Sequence, residues 1–196
     1  MYNKYVKRWL GLIISIIGLP FFGIIYVIVA PLIKREDRGP VFHNAPRLGK
    51  NGKIYKMYKF RSMKVNAPDI RNSDGSTFNS EEDPRVTKIG KILRKTSLDE
   101  TPQILNVLKG EMAIIGPRPN LPSVPYDQLP EIEKKRLDVR PGITGYNQAY
   151  FRNSVSSEEK FKNDVEYVES VSFTFDVKIL LKTVKSVLKR ENINTN

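Results

Sequence analysis

The amino-acid sequence predicts a mostly helical α+β protein of the monotopic membrane class, held in one leaflet by an N-terminal helix hairpin. Three observations lead to this fold class: an uncharged apolar run near the N-terminus, a short β-hairpin pattern after it, and later helical segments with basic faces. A chain of 196 residues has room for one domain with a core, or for a smaller domain with an appendage. We therefore divide it into a membrane anchor over residues 1–35 and a polar domain over residues 36–196.

The apolar run, LGLIISIIGLPFFGIIYVIVAPLI, covers residues 10–33 and contains no charge. About 20 such residues are enough to cross a bilayer as a helix. Pro20 lies in the middle of the run and removes a helix hydrogen bond there, so a break is expected at this point. Cations flank the run on both sides, and the positive-inside rule therefore gives no direction for crossing: Lys4, Lys7 and Arg8 precede it, and Lys34, Arg35 and Arg38 follow it.

These flanks favour a re-entrant hairpin that breaks at Pro20 and returns to the side from which it entered. An ordinary spanning helix is the alternative. A secretory signal peptide is disfavoured because the run is too long and no small-residue cleavage pattern follows it.

The charge balance predicts an anionic partner. The chain has 33 Lys and Arg against 21 Asp and Glu, a net charge of +12, which suits nucleic acid, anionic lipid or a phosphorylated substrate equally. It has no cysteine and one histidine, His43, so disulfides, thiolate catalysis and multi-histidine metal centres are excluded. Any chemistry must rest on carboxylates, lysines, arginines, hydroxyls or a bound hard cation.

Residues 40–63 predict two short strands joined by a tight turn at Asn51-Gly52, a pair that supplies the positive φ angles such a turn needs. Lys59 and Arg61 would then share one strand face and place two cations side by side. A loop rich in Asp, Asn, Ser, Gly and Pro follows over residues 66–82.

Helical periodicity begins at Val86, and a second helix is expected from about Asp99 to Lys109, ending at Gly110. Residues 114–130 are rich in proline and predict a rigid loop, and residues 131–145 predict a short helix closed by a Pro-Gly turn. Two helices follow. The last, FTFDVKILLKTVKSVLKR, is a basic amphipathic helix, suited to the surface of an anionic membrane or to a core with one solvated side.

Two adjacent carboxylates, Asp99 and Glu100, stand at the start of the second helix. They have a structural interpretation: Ser97-x-x-Glu100 matches a capping box, or Asp99 is itself the cap, because Pro102 then falls at the third helical position. Either register puts Asp99 at a helix N-terminus, where free N–H groups and the dipole favour an anion. An ionised aspartate there is also suited to be a nucleophile or a ligand of Mg²⁺.

Three arginines later in the chain are candidates for binding anions. Arg118 lies between two prolines, and rigid flanks reduce the entropy lost when a guanidinium is fixed on a phosphate. A stiff surface turn with an incidental charge is the alternative. Arg140 and Arg152 lie among aromatics and turn glycines in VRPGITGYNQAYFRNS, a pattern suited to holding a base or sugar or to a plain aromatic-bearing loop.

The order of these motifs resembles that of the bacterial sugar transferase family, small monotopic phosphoglycosyl transferases that act on polyprenol phosphate. The resemblance rests on the basic N-terminus and proline-broken apolar run, followed by YKFRSM, SLDETPQILNVLKGEMAIIGPRP and RPGITG, and it covers nearly the whole chain. One departure is Leu19-Pro20, where the family often has Ser-Pro.

The resemblance implies an enzyme that moves a phospho-sugar from a UDP-sugar, expected to carry an N-acetylated amino sugar, to undecaprenyl or a similar polyprenol phosphate, with release of UMP. Asp99 would attack the β-phosphate and form an aspartyl phospho-sugar, Glu100 would position or assist the acceptor, and Mg²⁺ would bridge the diphosphate near Asp99. Six cations are implied as phosphate or substrate ligands: Arg94, Arg118, Lys59 and Arg61, with Arg140 and Arg152 at the nucleotide end.

The same resemblance implies a cytoplasmic catalytic domain at the inner membrane of a bacterium, acting in the first membrane step of a capsule, exopolysaccharide or glycoprotein glycan. Its partners would be the UDP-sugar, the polyprenol phosphate and an anionic lipid surface, and no nucleic acid. Two other hypotheses are a membrane-tethered basic protein that recruits nucleic acid or anionic lipid, and an inactive scaffold, which the unchanged Asp-Glu pair disfavours. The sequence carries no signal for the oligomeric state.

Overall fold

The computed structural model describes residues 1–70, 78, 80, 82–151 and 154–188, except for the side chains of residues 187 and 188. Much of the predicted 66–82 loop, Arg152 and the end of the predicted basic C-terminal helix lie outside the described residues.

The described chain is mostly helical with two small sheets, as predicted for the α+β class. After a π-helical turn at Tyr2–Val6 the elements are α1 (Lys7–Asp37), β1 (Phe42–Leu48), β2 (Ile54–Phe60), α2 (Lys88–Thr96), a 3₁₀ helix (Leu98–Gln103), α3 (Ile104–Lys109), β3 (Ala113–Ile115), α4 (Glu131–Arg136), β4 (Gly142–Thr144), α5 (Tyr146–Tyr150), α6 (Ser157–Glu169) and α7 (Phe173–Leu188).

Helix α1 contains the whole apolar run, with Pro20 and Pro31 inside it. The sequence predicted two helices separated at Pro20, whereas the structure has one, so the hairpin is not confirmed. The residues of α1 that face the domain recur every three or four positions. The same side of the helix faces the domain before and after Pro20, because the helix packs continuously along its length. These residues are Gly11, Ser15, Gly18, Phe22, Ile25, Val29 and Ile33.

The opposite face of α1 is apolar and exposed. Its large side chains are Trp9, Ile13, Ile14, Ile16, Ile17, Phe21, Ile24, Val27, Ile28 and Leu32. By length and composition α1 is the one helix in the described part of the chain that is able to cross a membrane. Helix α7 exposes a second apolar stripe, formed by Phe173, Val177, Leu180, Leu181 and Val184. A long exposed apolar helix face of this kind indicates membrane association.

The N-terminal end of α1 is bound to the folded domain. Lys7 Nζ lies 2.8 Å from Asp176 Oδ2 in α7. Arg8 donates hydrogen bonds to the carbonyl oxygens of Val107 and Leu108, at the end of α3. The polar start of α1 is therefore attached to two later elements of the chain.

The C-terminal end of α1 is bound to the same domain. Asp37 forms an ion pair with Arg61, which follows β2 directly. Glu36 accepts hydrogen bonds from the backbone amides of Lys88 and Ile89 at the start of α2. The last turn of α1 therefore fixes the position of α2.

The predicted β-hairpin is confirmed. Strands β1 and β2 are antiparallel, with Phe42 opposite Phe60 and Leu48 opposite Ile54. Asn51 and Gly52 have φ angles of 55° and 75°, as the tight turn requires.

Strands β3 and β4 form a parallel pair that the sequence analysis missed. Ala113 lies opposite Gly142 and Ile115 opposite Thr144, in segments predicted to be loop and turn. Strands of three residues are too short to show periodicity. Gly142 makes the close pairing feasible, because a Cβ there would lie only 2.1 Å from the backbone N of Gly116. This pairing fixes the start of the loop predicted over residues 114–130.

We expect Gly142→Ala to destabilise the protein by about 3 kcal/mol, because backbone must move to admit the methyl group. The melting temperature measured by circular dichroism in detergent should fall by about 6–12 °C. Gly23→Ala is the matched control, since an added Cβ there meets nothing within 4 Å, and it should not lower the melting temperature. Equal melting temperatures for the two variants would contradict this account of the β3–β4 pair.

Candidate active site

Asp99 and Glu100 lie in the 3₁₀ helix that follows α2 directly. Ser97 joins the two helices with a left-handed φ of 56°, and its side chain makes no capping hydrogen bond. An N-cap serine needs extended backbone to direct its oxygen at the next turn, whereas Ser97 closes the preceding helix. The Ser97 capping box is therefore wrong. The Asp99 cap is wrong as well, because Asp99 is the second residue inside the 3₁₀ helix.

The carboxyl group of Asp99 is buried, with the residue 9% exposed. Burial raises its pKa to about 6, with Glu100 acting in the same direction, while Lys59, Arg94 and its own backbone amide oppose the change. The sequence suggested that a helix terminus would favour the anion, but desolvation is the larger effect. A carboxyl with this pKa is still mostly ionised at neutral pH and is more basic than an exposed aspartate.

Glu100 is shifted in the opposite direction. Its Oε1 lies 2.5 Å from Lys59 Nζ. Burial disfavours its ionised form, but the charges of Lys59 and Arg118 and the hydrogen bond from Lys59 outweigh burial and lower the pKa of Glu100. Adjacent acids whose pKa values are separated by their environments usually have different roles.

Arg94 reaches the carboxylate pair from the last turn of α2. Its Nε donates to Ser62 Oγ at 3.0 Å, and its charge favours the ionised form of Asp99. Helix α2 approaches the chain at Ser62 closely, because a Cβ on Gly90 would lie 2.0 Å from the Ser62 carbonyl oxygen. Sequence reasoning missed Ser62, since a serine at the end of a strand pattern carries no signal of its own.

Arg118 is the third cation near the pair, and its charge lowers the pKa of Glu100. Its carbonyl oxygen accepts a hydrogen bond of 2.8 Å from Arg136 Nη2. Arg136 in turn forms a buried ion pair with Asp164 of α6, at 2.5 Å. The loop predicted to be rigid is thus anchored by a buried pair that the sequence analysis did not identify.

Two other predicted ligands are placed elsewhere. Arg61 is buried and bound to Asp37 and to the carbonyl oxygen of Pro40. Arg140 Nε donates to the carbonyl oxygen of Gly110, at the end of α3 remote from the carboxylate pair. Arg152 lies outside the described residues. The substrate roles of these three arginines remain predictions.

The carboxylate pair of Asp99 and Glu100 is suited to a metal ion that takes most of its ligands from the substrate. Within the described residues no group of three or more His, Cys, Asp or Glu side chains is placed to hold a metal ion. Mg²⁺ commonly uses one or two carboxylates together with phosphate oxygens and water. Asp99, the predicted ligand, and its neighbour Glu100 supply that number of carboxylates.

The arrangement is suited to chemistry on phosphate. One carboxylate is desolvated and basic, and its neighbour is bound to a lysine. Two arginines act on the pair through their charge: Arg94, which is bound to Ser62, and Arg118, whose backbone is anchored by Arg136. Cations positioned in advance stabilise the charge that develops during phosphoryl transfer.

Comparison with known proteins gives concordant results. A model of a family described as bacterial sugar transferase matches residues 2–190. The chain is 44% identical over 191 residues to the galactosyl transferase CpsE of Streptococcus agalactiae serotype III, covering 93% of this chain and 42% of that relative. It is 41% identical over 191 residues to the uncharacterized sugar transferase EpsL of Bacillus subtilis, covering 96% and 90%.

A third relative, from Aeromonas hydrophila, is named UDP-N-acetylgalactosamine-undecaprenyl-phosphate N-acetylgalactosaminephosphotransferase. It is 36% identical over 189 residues, which cover 94% of this chain and 44% of that relative. The chain therefore spans less than half the length of two of these relatives and most of the length of the B. subtilis protein.

Asp99→Asn should stabilise the folded protein at neutral pH. An acid whose folded pKa is about 6, above its unfolded value of about 4, disfavours the folded state once the pH exceeds both values. Removing the charge should add about 1–3 kcal/mol of stability at about pH 7.5, and the gain should fade as the pH is lowered through 6 towards 4. Thermal unfolding in detergent at several pH values measures this.

The control is Asp127→Asn, which changes an exposed aspartate and should leave the melting temperature unchanged at every pH. A lower melting temperature for Asp99→Asn at neutral pH would contradict the desolvation of Asp99.

Proposed function

This chain belongs to the bacterial sugar transferase family, and we propose that it transfers a phospho-sugar from a UDP-sugar to a polyprenol phosphate. The products would be a polyprenol-diphosphate-sugar and UMP, and undecaprenyl phosphate is the expected acceptor. Family membership confirms the resemblance stated from the sequence, and with it the transferase class. The observation that carries the specific proposal is the buried, basic carboxylate of Asp99 among positioned cations.

We propose a two-step reaction through Asp99. In the first step, a carboxylate oxygen of Asp99 forms a bond to the β-phosphorus of the donor, and the bond from that phosphorus to the bridging oxygen breaks, releasing UMP. In the second step, an oxygen of the polyprenol phosphate attacks the same phosphorus, and the bond to Asp99 breaks and restores the carboxylate. Both nucleophiles are anions, so neither step needs a proton acceptor.

The three cations near the pair have separable roles in this proposal. Arg94 favours the ionised state of Asp99 and would also bind the donor diphosphate. Lys59 is held by Glu100 at 2.5 Å, so Glu100 positions this lysine. We expect Glu100 also to position or assist the acceptor. Arg118 lies on an anchored loop with its side chain exposed, as expected of a ligand for an incoming phosphate.

Mg²⁺, when bound, would neutralise charge on the donor diphosphate. Asp99, with Glu100 beside it, is the group of this chain that would hold the ion. Lys59, Arg94 and Arg118 would still be needed with the ion bound, because they favour the ionised forms of the protein's own carboxylates. Lys59 and Arg94 act on Asp99, and Lys59 and Arg118 act on Glu100.

An N-acetylated amino sugar is expected, and the name of the A. hydrophila relative specifies N-acetylgalactosamine. The name of the S. agalactiae relative instead specifies a galactosyl group. A donor screen that reads UMP release should therefore include both UDP-hexoses and UDP-N-acetylhexosamines.

We further propose that the protein is monotopic, at the cytoplasmic face of a bacterial inner membrane. The support comes from the two ends of α1: Lys7 is paired with Asp176 and Asp37 with Arg61, and both partners belong to the same folded domain. A helix that crossed the bilayer would put these ends on opposite sides. With both of its ends on one side of the membrane, α1 would hold the site at the level of the acceptor's phosphate, where the first membrane step of a glycan pathway takes place.

Replacing the nucleophile should abolish turnover. We expect Asp99→Asn to lower UMP release from UDP-sugar and undecaprenyl phosphate by at least about a thousandfold. In wild-type protein given donor and Mg²⁺ without acceptor, peptide mass spectrometry should find one phospho-sugar on residue 99. Glu100→Gln is the matched variant, and it should still form the adduct but pass it to the acceptor slowly. Full turnover by Asp99→Asn, or an adduct on another residue, would exclude the mechanism.

Cysteine labelling tests the placement of α1. The chain has no cysteine, so single cysteines at the exposed positions Asn3 and Arg35 report the two ends of the helix, and one at exposed Asp127 reports the domain. An impermeant maleimide should label all three in inverted membrane vesicles and none in right-side-out vesicles. Labelling of position 3 from the side opposite to position 127 would show a spanning helix.

A further inference from the structure

A fully buried asparagine, Asn106, joins helix α3 to strand β2. Its Oδ1 accepts a hydrogen bond of 2.9 Å from the backbone N–H of Tyr58, and its Nδ2 donates one of 2.8 Å to the carbonyl oxygen of Lys56. The same nitrogen donates to Glu111 Oε2 at 2.6 Å. One N–H donor and two acceptors around the amide allow only one orientation of it.

The two contacts with β2 take the place of a third strand. In the described part of the chain, the sheet that contains β2 has two strands. The backbone groups of β2 point alternately towards β1 and away from it. Arg61 donates its N–H to the carbonyl oxygen of Val41, on the β1 side, so the N–H of Tyr58 and the carbonyl group of Lys56 lie on the opposite edge. Asn106 therefore supplies a peptide-like partner to an edge that would otherwise be free.

The elements that Asn106 joins meet a second time at the carboxylate pair. Lys59 follows Tyr58 directly, and its Nζ lies 2.5 Å from Glu100 Oε1. Glu100 belongs to the 3₁₀ helix, which α3 continues without a break. Asn106 therefore fixes the backbone of β2 against this pair of helices one residue before the lysine.

The position of Lys59 matters because of its effect on Asp99. Burial raises the pKa of Asp99 to about 6, and Lys59 opposes that change more strongly than Arg94 does. Besides Glu100, which raises the pKa of Asp99, the other titratable group facing Lys59 is His43, which lies opposite it in β1. A displacement of β2 would weaken the interaction of Lys59 with Asp99.

We propose that Asn106 is a positioning residue for the active site, whose side-chain amide holds β2 so that Lys59 lies beside the carboxylate pair. The proposal deepens the proposed function and rests on it only for the role of Asp99 as nucleophile. One of the two measurements below therefore requires no reaction.

Asn106→Ser removes the contact, because serine is too short to reach both backbone groups of β2. The matched control is Asn147→Ser. Asn147 is also buried, and its Nδ2 likewise donates to one carbonyl oxygen, that of Lys160, and to one carboxylate, that of Asp164, at 2.8 and 2.7 Å. It lies in α5, and neither of these partners acts on the pKa of Asp99.

The first measurement is thermal unfolding in detergent without substrate. Each protein is compared with and without Asp99→Asn across a range of pH. An acid whose folded pKa exceeds its unfolded pKa destabilises the folded state above both values. With Asn106 intact, the gain from Asp99→Asn should fade as the pH falls through about 6. In Asn106→Ser the gain should be larger at about pH 8 and should begin to fade about one pH unit higher. Asn147→Ser should keep the wild-type pH dependence.

The second measurement is formation of the adduct on residue 99, with donor well below saturation and no acceptor. The inflection of the second-order rate constant should move up by the same amount in Asn106→Ser. In a Lys59→Met background, Asn106→Ser should cause no further rise, because the lysine that it positions is gone. Absence of an adduct on residue 99, together with the expected shift in the unfolding measurement, would refute the proposed reaction and support the role of Asn106.

Asn106→Gln provides a second variant in case the serine variant does not fold. It keeps an amide for the buried partners but is longer by one methylene group, so it should fold and move both inflections in the same direction. The proposal is overturned if both Asn106 variants that fold keep the wild-type inflection, if Asn147→Ser shifts it equally, or if Asn106→Ser raises it further in the Lys59→Met background.

Discussion

The ionisation of a buried carboxyl group, Asp99, is the constraint on which the rest of the site depends. Burial alone would leave this acid protonated well above its usual pKa, and only the nearby cations and a backbone amide keep the pKa at about 6. Those cations come from distant parts of the sequence: Lys59 from β2 and Arg94 from α2. The fold therefore has to position β2 and α2 around Asp99 before its carboxyl group is ionised and able to react.

Helix α1 links the position of these elements to the exposed apolar surface. Its last turn caps α2 through Glu36, so the helix that carries Arg94 is positioned by the same element that exposes an apolar face. Its first turns are attached to α3 and α7. Both ends of the apolar helix are thus bound to one domain, which explains why the site and the exposed apolar surface keep a fixed relation.

Features set by local chemistry were predictable from the sequence, whereas features set by packing were not. Asn51-Gly52 and Gly110 carry backbone angles that few other residues adopt, so the hairpin turn and the end of α3 could be located. The continuous helix through Pro20 depends on packing along its whole length, and the β3–β4 pair on contacts between segments distant in the sequence. The motif located Asp99 and Glu100, but neither of the two caps considered for the second helix is correct: Ser97 closes the first helix, and Asp99 lies inside the 3₁₀ helix.

The pH dependence of adduct formation in a single turnover tests the central claim most directly. With donor well below saturation and no acceptor, the second-order rate constant for forming the adduct on residue 99 reports the free protein. It should rise with an inflection near pH 6, the pKa to which burial raises Asp99. Lys59→Met should move that inflection to higher pH, because Lys59 favours the ionised carboxylate. A rate that does not change across this pH range in wild-type protein, or an inflection that Lys59→Met leaves in place, would contradict the account.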